Sequence, residues 1–399
     1  MAKIGIYGGS FNPPHLGHIL AAQEFQRALK LDLLLFVPAA TPPHKVLPSG
    51  SPDAETRKHL LELAAQDLPF VRIEDLELRR EGASYTVDTL KALRANYPED
   101  ELFLCMGTDM FQSFDSWYQP KKICSMAKIA MAHRTDCDAE ERKELAKAFK
   151  KKFGVEPVLI ANDFLEVSST QVRRLLILGG AEDFLHPAVL EEIRAKGLYG
   201  TGINRKGLSF EELKRESLAV HKEGRVPHVV GCSQTARELA LIHGVDPDDA
   251  ERAGILHDVT KALDGRDQLR LCEKYDISIS DFDRAHTKLL HAVTGAAVAE
   301  HVFGEKEAVV QSIRWHTSGK ADMTTLEKII YVADYMEPNR DFPGVEKLRK
   351  LAYTDLDAAL LMGLEMAVAH VRRQGAIVGS HSLEAIEFLT QGKERKTNS

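Results

Sequence analysis

Lys3-Ile-Gly-Ile-Tyr-Gly-Gly-Ser-Phe-Asn-Pro-Pro-His-Leu-Gly-His18 is the stretch whose reading decides the fold. Its apolar start (Ile4, Ile6, Tyr7) is that of a buried strand. Gly8 and Gly9 then let the backbone turn tightly and approach a ligand. Pro13 and Pro14 fix the loop that follows. His15 and His18 stand three apart as a helix begins, so they share a face. Leu16, Ile19, Leu20 and Leu29 give that helix an apolar stripe. Strand, glycine turn, helix N-terminus and two imidazoles together make an anion site, because backbone N–H groups and the helix dipole favour phosphate there. A βα turn with two surface histidines is the alternative reading of the pieces; the complete string is far more restrictive.

Outward from this stretch, strands and helices alternate. Apolar strand candidates fall at residues 3–7, 33–38, 71–73, 102–106, 129–132 and 158–160, with helical patterns between them, as at 53–66, 86–96 and 140–153. Alternation of this kind predicts an α/β domain with a doubly wound parallel sheet. Ligands of such sheets bind beyond the carboxyl ends of the strands, which is where His15 and His18 fall. A Gly-rich polar stretch, Gly197 to Gly207, reads as a linker. Beyond it only helical periodicity is found, at 210–222, 227–243, 246–263, 268–275, 288–302, 306–315, 324–336, 345–351 and 354–374, so the second half is all-α. The expected division is 1–202, a linker at 203–208, a second domain at 209–392 and a frayed polar tail at 393–399.

The composition agrees with two ordinary globular domains: 399 residues, 44% hydrophobic and 28% charged. A net charge of −7 argues against general nucleic-acid binding. The five cysteines (Cys105, Cys124, Cys137, Cys232, Cys272) are scattered without a C-x-x-C pair, which fits reduced thiols in a cytoplasmic protein. No signal peptide opens the chain, and no apolar run approaches a membrane span. No oligomeric state is fixed; a homo-oligomer stays open. Ten of the sixteen histidines lie after residue 202, one of them (His257) directly beside an Asp, and point to metal chemistry in the second half.

GGSFNPPHLGH resembles the signature of the nucleotidyltransferase superfamily that uses an HxGH motif, whose domain is a Rossmann-like α/β sheet. The resemblance implies that His15 and His18 are catalytic, holding the triphosphate of ATP and stabilising the α-phosphoryl group under attack. Phosphoryl transfer rests mostly on positioning and charge stabilisation. Ser84-Tyr-Thr-Val-Asp-Thr-Leu90, Gly107-Thr-Asp-Met-Phe-Gln-Ser-Phe-Asp-Ser-Trp117, Val167-Ser-Ser-Thr-Gln-Val-Arg173 and Pro42-Pro-His-Lys45 narrow it: over roughly residues 1–200 the chain is similar to nicotinate-nucleotide adenylyltransferases. Pantetheine-phosphate adenylyltransferase, which shares the opening motif, is the runner-up. The resemblance implies ATP binding by Gly8, Gly9, Ser10, Phe11, Gly107, Asp109, Ser168, Ser169, Thr170 and Arg173. It implies nicotinate mononucleotide binding by Thr86, Trp117, Lys45 and Arg134, and magnesium accompanying ATP. Taken singly, Trp117 reads as core, Thr86 and Ser169 as helix caps, and Lys45 as a solvated charge.

In the second half, His257-Asp258 lies within Ala253-Gly-Ile-Leu-His-Asp-Val-Thr-Lys261. Two polar groups in an apolar helical run are costly to bury unless something binds them, and imidazole beside carboxylate suits a divalent metal. A hydrogen-bonded core histidine is the alternative. With His228 before the His257-Asp258 pair and His291, His316 and Asp334 after it, the order His…His-Asp…His…His…Asp resembles the HD-domain phosphohydrolases, and six such ligands imply a pair of metal ions. HDVTK…LLHAVTG…HTSGK…YVADYMEPNR resembles an HD family that hydrolyses diadenosine tetraphosphate symmetrically to ADP and prefers iron. The likeness gives Asp258 and Lys261 catalytic roles and Arg340 a substrate contact; a structural Lys and a turn-capping Arg are the alternatives. His286 competes with His291, which is preferred because Gly295 and Ala296 follow in register. His221, His243, His301, His370 and His381 read as surface residues. Another nucleotide (a dNTP or a guanosine alarmone), or a role as a regulatory nucleotide sensor, stays open for this domain.

Overall fold

The computed structural model describes residues 1–42, 46–80, 82–134, 139–162 and 167–397. They form two units, Met1–Ile177 with Ala181–Ile203, and Leu178–Gly180 with Asn204–Ser399.

The first unit is a six-stranded sheet in the order β3-β2-β1-β4-β5-β6, with every neighbouring pair parallel. Along the chain come β1 (Lys3–Gly9), α1 (Leu16–Leu29), β2 (Leu33–Pro38), α2 (Ala54–Ala65), β3 (Val71–Ile73), α3 (Thr86–Asn96), β4 (Glu101–Gly107), α4 (Thr108–Gln112), α5 (Pro120–Met126), β5 (Lys128–Arg134), α6 (Ala139–Phe153), β6 (Val158–Asn162), α7 (Ser169–Leu178) and α8 (Pro187–Ala195). The strands are near-continuous apolar runs, as parallel strands covered on both faces must be. Ile4, Ile6, Leu104 and Met106 meet Leu90 and Phe149 of the covering helices in one core. The chain steps from β1 outward to β2 and β3, then crosses back to β4 on the other side of β1. Connections therefore diverge at the carboxyl ends of β1 and β4, and a crevice opens there. The residues after those two strands are His15 and His18, and Asp109.

The second unit is helical: α9 (Phe210–Leu218), α10 (Val226–His243), α11 (Pro247–Leu256), α12 (Gly265–Lys274), α13 (Asp281–Ala285), α14 (His291–Val298), α15 (Glu307–Trp315), α16 (Thr325–Met336), α17 (Val345–Ala352), α18 (Leu356–Arg373) and α19 (Ser380–Thr397). Three expectations need correction. The helix expected over 246–263 ends at Leu256, and 257–262 are turns held by N–H bonds three residues back, such as Lys261 to the Asp258 carbonyl at 2.9 Å. His257, the C-cap, keeps helical backbone, and the turn that begins there carries Asp258 next to it. The stretch read as a frayed tail is helical as far as Thr397; Lys393, Glu394, Arg395 and Lys396 are good helix formers. The stretch read as a linker is partly packed: Tyr199 is buried, and so is Arg205, whose Nη2 lies 2.8 Å from Glu216 Oε2. Among the described residues no helix is long and apolar enough to cross a membrane.

α10 and α11 approach closely at Gly254, where an added Cβ would lie 2.6 Å from the Ser233 Cα. That contact is backbone and cannot swing away. Gly254→Ala is expected to destabilise the helical unit by roughly 1–3 kcal/mol, the usual cost of overpacking. Denaturant unfolding measures it; an unchanged midpoint would show that the helices separate freely.

Candidate active sites

The first site grows out of the β1–α1 turn. His15 is the N-cap of α1, with extended backbone, and donates its main-chain N–H to His18 Nδ1 at 3.1 Å. An Nδ1 that accepts leaves the proton of a neutral ring on Nε2, so His18 presents an N–H donor. The rings stack, centroids 3.7 Å apart. A Cβ on Gly17 would lie 3.0 Å from His15 Nδ1, so glycine is what lets the stack form. Burial pushes the His18 pKa down to about 4 and holds His15 well below the usual range, with His18 adding to the effect. Both rings are neutral at pH 7. Phe11 sits at φ 43°, and its ring stands edge-on to His18 at 5.0 Å and to Phe36 at 5.3 Å. Beside it, a Cβ on Gly9 would be 3.1 Å from that ring.

The loop carbonyls are held from behind. Ser169 Oγ donates to the Pro13 carbonyl at 2.9 Å, and Arg173 donates to the Asn12 carbonyl and to Thr170 Oγ1. Arg57, 1% exposed, donates to the carbonyls of Ser10, Ala39 (2.9 Å) and Ala40 (3.2 Å), tying the β1 loop to the end of β2. The sequence reading missed Arg57. The available signal was its register: Arg57, Leu60, Leu61 and Ala64 share the apolar stripe of α2, and a charge there has to find buried partners.

The other expected residues fall as follows. Gly8 and Gly9 close β1, and Ser10 follows them. Gly107 ends β4 as the N-cap of α4, and Asp109 is exposed in the first turn of that helix. Thr86 is the first residue of α3. Trp117 is half-buried, its ring 5.3 Å from Phe114. The rings of Tyr85 and Tyr118 meet at 4.9 Å, which brings the start of α3 to the segment carrying Trp117. Ser168 precedes α7, which opens at Ser169, and α8 follows in the same unit. Arg134 ends β5, in register with Asn162. Lys45 lies outside the described residues.

The second site is assembled from helix ends. His257 follows α11 and donates Nδ1–H to the Gly254 carbonyl at 2.7 Å. His316 follows α15 and does the same to Ile313 at 2.7 Å. His291 opens α14 and reaches the Lys288 carbonyl at 2.6 Å. A carbonyl only accepts, so each Nδ1 carries the proton and each Nε2 offers a lone pair. These Nε2 atoms converge on Asp258, which is buried at 0% exposure. Asp258 Oδ1 lies 3.2 Å from His291 and 3.7 Å from His316; Oδ2 lies 3.5 Å from His257 and 3.8 Å from His228. Asp334 Oδ1 adds contacts of 3.2 Å to His228 and 3.8 Å to His257. Lone pairs and carboxylate oxygens this close repel unless a cation sits among them, and the donor set suits a divalent metal.

Three cations rim the cluster. Lys261 Nζ is 3.0 Å from His291 Nε2, Arg225 Nε donates to Asp258 Oδ2 at 2.8 Å, and Arg340 Nη2 donates to Asp334 Oδ1 at 2.7 Å. Arg225 and Glu337, the latter 3.1 Å from His228 Nδ1, were not read from the sequence. His286 turns instead to the Phe282 carbonyl at 2.8 Å and stacks on the Phe282 ring. His221, expected at the surface, is buried, and its Nε2 has no hydrogen-bond partner among the described residues; a helical stripe does not reveal which polar residue folds inward beyond its end.

The cytidylyltransferase-like family pattern matches residues 6–175, and the HD-domain pattern matches residues 225–339. A probable nicotinate-nucleotide adenylyltransferase of Borreliella burgdorferi is 33% identical over 203 residues, covering 51% of this chain and 99% of that protein. One of Geotalea daltonii is 35% identical over 215 residues, covering 50% of this chain and 99% of that protein. A solved structure described as a predicted HD superfamily hydrolase involved in NAD metabolism, from Clostridium acetobutylicum, is 36% identical, covers 46% of this chain and 98% of its own, and superposes with a TM-score of 0.45. Through its first half, which spans nearly the full length of such relatives, the chain belongs to the nicotinate-nucleotide adenylyltransferase family, and an HD domain follows.

Proposed function

We propose that the first domain (1–202) joins nicotinate mononucleotide to the AMP of ATP, giving deamido-NAD and pyrophosphate. The observation that carries this is the His15–His18 pair at the β1–β4 crevice. The phosphate oxygen of the mononucleotide attacks the α-phosphorus of ATP in line, and the bond to the pyrophosphate oxygen breaks. The neutral His18 ring, its Nε2–H fixed by the His15 main chain, donates to the phosphoryl oxygens as charge shifts onto the leaving pyrophosphate. Gly8, Gly9, Ser10 and Phe11 shape the phosphate turn, Ser169 and Arg173 brace it with Thr170 bonded to Arg173, and Ser168 at the start of α7 would meet the ATP phosphates. Gly107 and Asp109 stand where ribose hydroxyls would lie. Thr86 and Trp117 would take the nicotinate carboxylate and ring, Lys45 and Arg134 the mononucleotide phosphate. Magnesium would accompany ATP and screen its triphosphate.

We further propose that the helical domain (209–392, after a linker at 203–208) hydrolyses diadenosine tetraphosphate symmetrically to ADP in the cytoplasm. The two oxygens of Asp258, each turned to a different group of imidazoles, carry this reading. His228, His257 and Asp334 would hold one divalent ion, His291 and His316 the other, with Asp258 between them; iron is the metal the sequence resemblance favours. Such a pair supplies a clamp on phosphate and a bound water acidic enough to attack. Lys261 and Arg340 stand at the rim to neutralise phosphate.

The purified chain, given ATP with nicotinate or nicotinamide mononucleotide, is expected to favour the acid at least about tenfold in kcat/KM, because an amide cannot replace a charge-assisted hydrogen bond at Thr86. Equal values, or preference for the amide, would overturn the assignment. Diadenosine tetraphosphate is expected to yield ADP alone. Formation of ATP and AMP, or turnover confined to a dNTP or a guanosine alarmone, would overturn the second reading.

A further inference from the structure

We propose that Glu337 is the positioning carboxylate of this metal centre, fixing His228 by its Nδ1 so that Nε2 faces the ion shared with His257 and Asp334. The inference rests on the metal-site reading above. Its starting point is an asymmetry among the four imidazoles. His257 and His316 follow the last residues of α11 and α15, where the final carbonyls of a helix have no partner within it. Gly254 and Ile313 supply such carbonyls, so these two rings are oriented by the helices that carry them. His291 uses the Lys288 carbonyl of the short turn before α14. His228 has no such option. It lies in the first turn of α10, whose carbonyls run into the helix's own hydrogen bonds. An acceptor must come from elsewhere, and the end of α16 provides it.

Glu337 caps α16 and is 1% exposed. Its Oε1 lies 3.1 Å from His228 Nδ1. Its Oε2 accepts from the Asn339 main-chain N–H and from Asn339 Nδ2, both at 2.8 Å, so the carboxylate is itself held. Asp334 stands three residues earlier on the same helix, with Oδ1 3.2 Å from His228 Nε2. One turn of α16 therefore addresses both nitrogens of a single ring. Space for this was made on α10: a Cβ on Gly231, one turn after His228, would lie 2.4 Å from Glu337 Oε2. Glycine is unfavourable inside a helix, and here the room it leaves is filled by the carboxylate. A ring that donates to a carboxylate is a stronger ligand at its other nitrogen than one that donates to a carbonyl. The ion at His228 is thus the one whose binding depends on a charged partner behind the ligand.

The test is metal binding by the full-length chain, stripped and titrated with Mn(II). Glu337→Gln keeps the size and shape of the side chain and removes its charge. It is expected to weaken one of two ions by about 10–100-fold, the usual effect of losing such a partner, and to leave the other unchanged. His228→Ala should weaken the same ion, and the double variant should lose little more than His228→Ala alone. Asn339→Ala, an exposed change that keeps Glu337 but loosens it, should weaken that ion by a smaller factor, and it serves if Glu337→Gln does not fold. Wild-type affinity for both ions in Glu337→Gln and Asn339→Ala would overturn the proposal while leaving the metal centre standing. A wild-type chain that takes up no Mn(II) would overturn the centre and the proposal together.

Discussion

His18→Ala is expected to lower adenylyl transfer by roughly 10²–10⁴-fold, the range found when a preorganised donor to developing charge is removed. The residue has two jobs. Its Nδ1 accepts the His15 main-chain N–H, and its ring stacks on His15. Removing it takes away the Nε2–H donor and frees the partner ring. Far-UV circular dichroism should stay native, because α1 keeps its apolar stripe of Ile19, Ala22, Phe25 and Leu29 against the sheet. The measurement is pyrophosphate release at saturating ATP and nicotinate mononucleotide. A rate within a few-fold of wild type would remove His18 from the chemistry.

Asp258→Ala is expected to abolish hydrolysis of diadenosine tetraphosphate and to release bound metal, with the transferase rate unchanged to about twofold. Asp258 is the one group whose two oxygens face separate sets of imidazoles. A carboxylate can bridge two cations where a neutral ring serves one. Without it, four lone-pair donors and Asp334 face two dications with half the negative charge. The two sites share no residue and belong to different units, and changes at sites without shared partners add to within about 0.3–0.5 kcal/mol. Metal content and both activities are read on the same preparation. Hydrolysis that survives with metal bound would show the ligand set to be wrong. A parallel fall in transferase activity with the first domain folded would show the domains to be coupled.

The sheet was legible because its signals are local. An apolar run such as Leu33–Pro38 can only be a strand covered on both faces, and the GG-x5-HxGH spacing ties a turn to a helix start. The structure brings His228, His257, Asp258, His291, His316 and Asp334 together, and the local signal of that centre was the polar His257-Asp258 pair inside the apolar run from Ala253 to Val259. What escaped notice depends on contacts distant in sequence. Arg57 reaches carbonyls seventeen and more residues away. Glu337 reaches a histidine 109 positions earlier. Tyr85 and Tyr118 are neighbours only across the sheet's helices. The end of α11 at Leu256 was missed because helical apolar periodicity runs on through Val259 and Leu263.

The imidazoles around Asp258 come from α10, α11, α14 and α15, and α16 adds Asp334. No two consecutive helices can build this arrangement on their own. It exists only once all five have docked: the complete ligand set belongs to the assembled helical unit, and the arrival of α16 with Asp334 closes it.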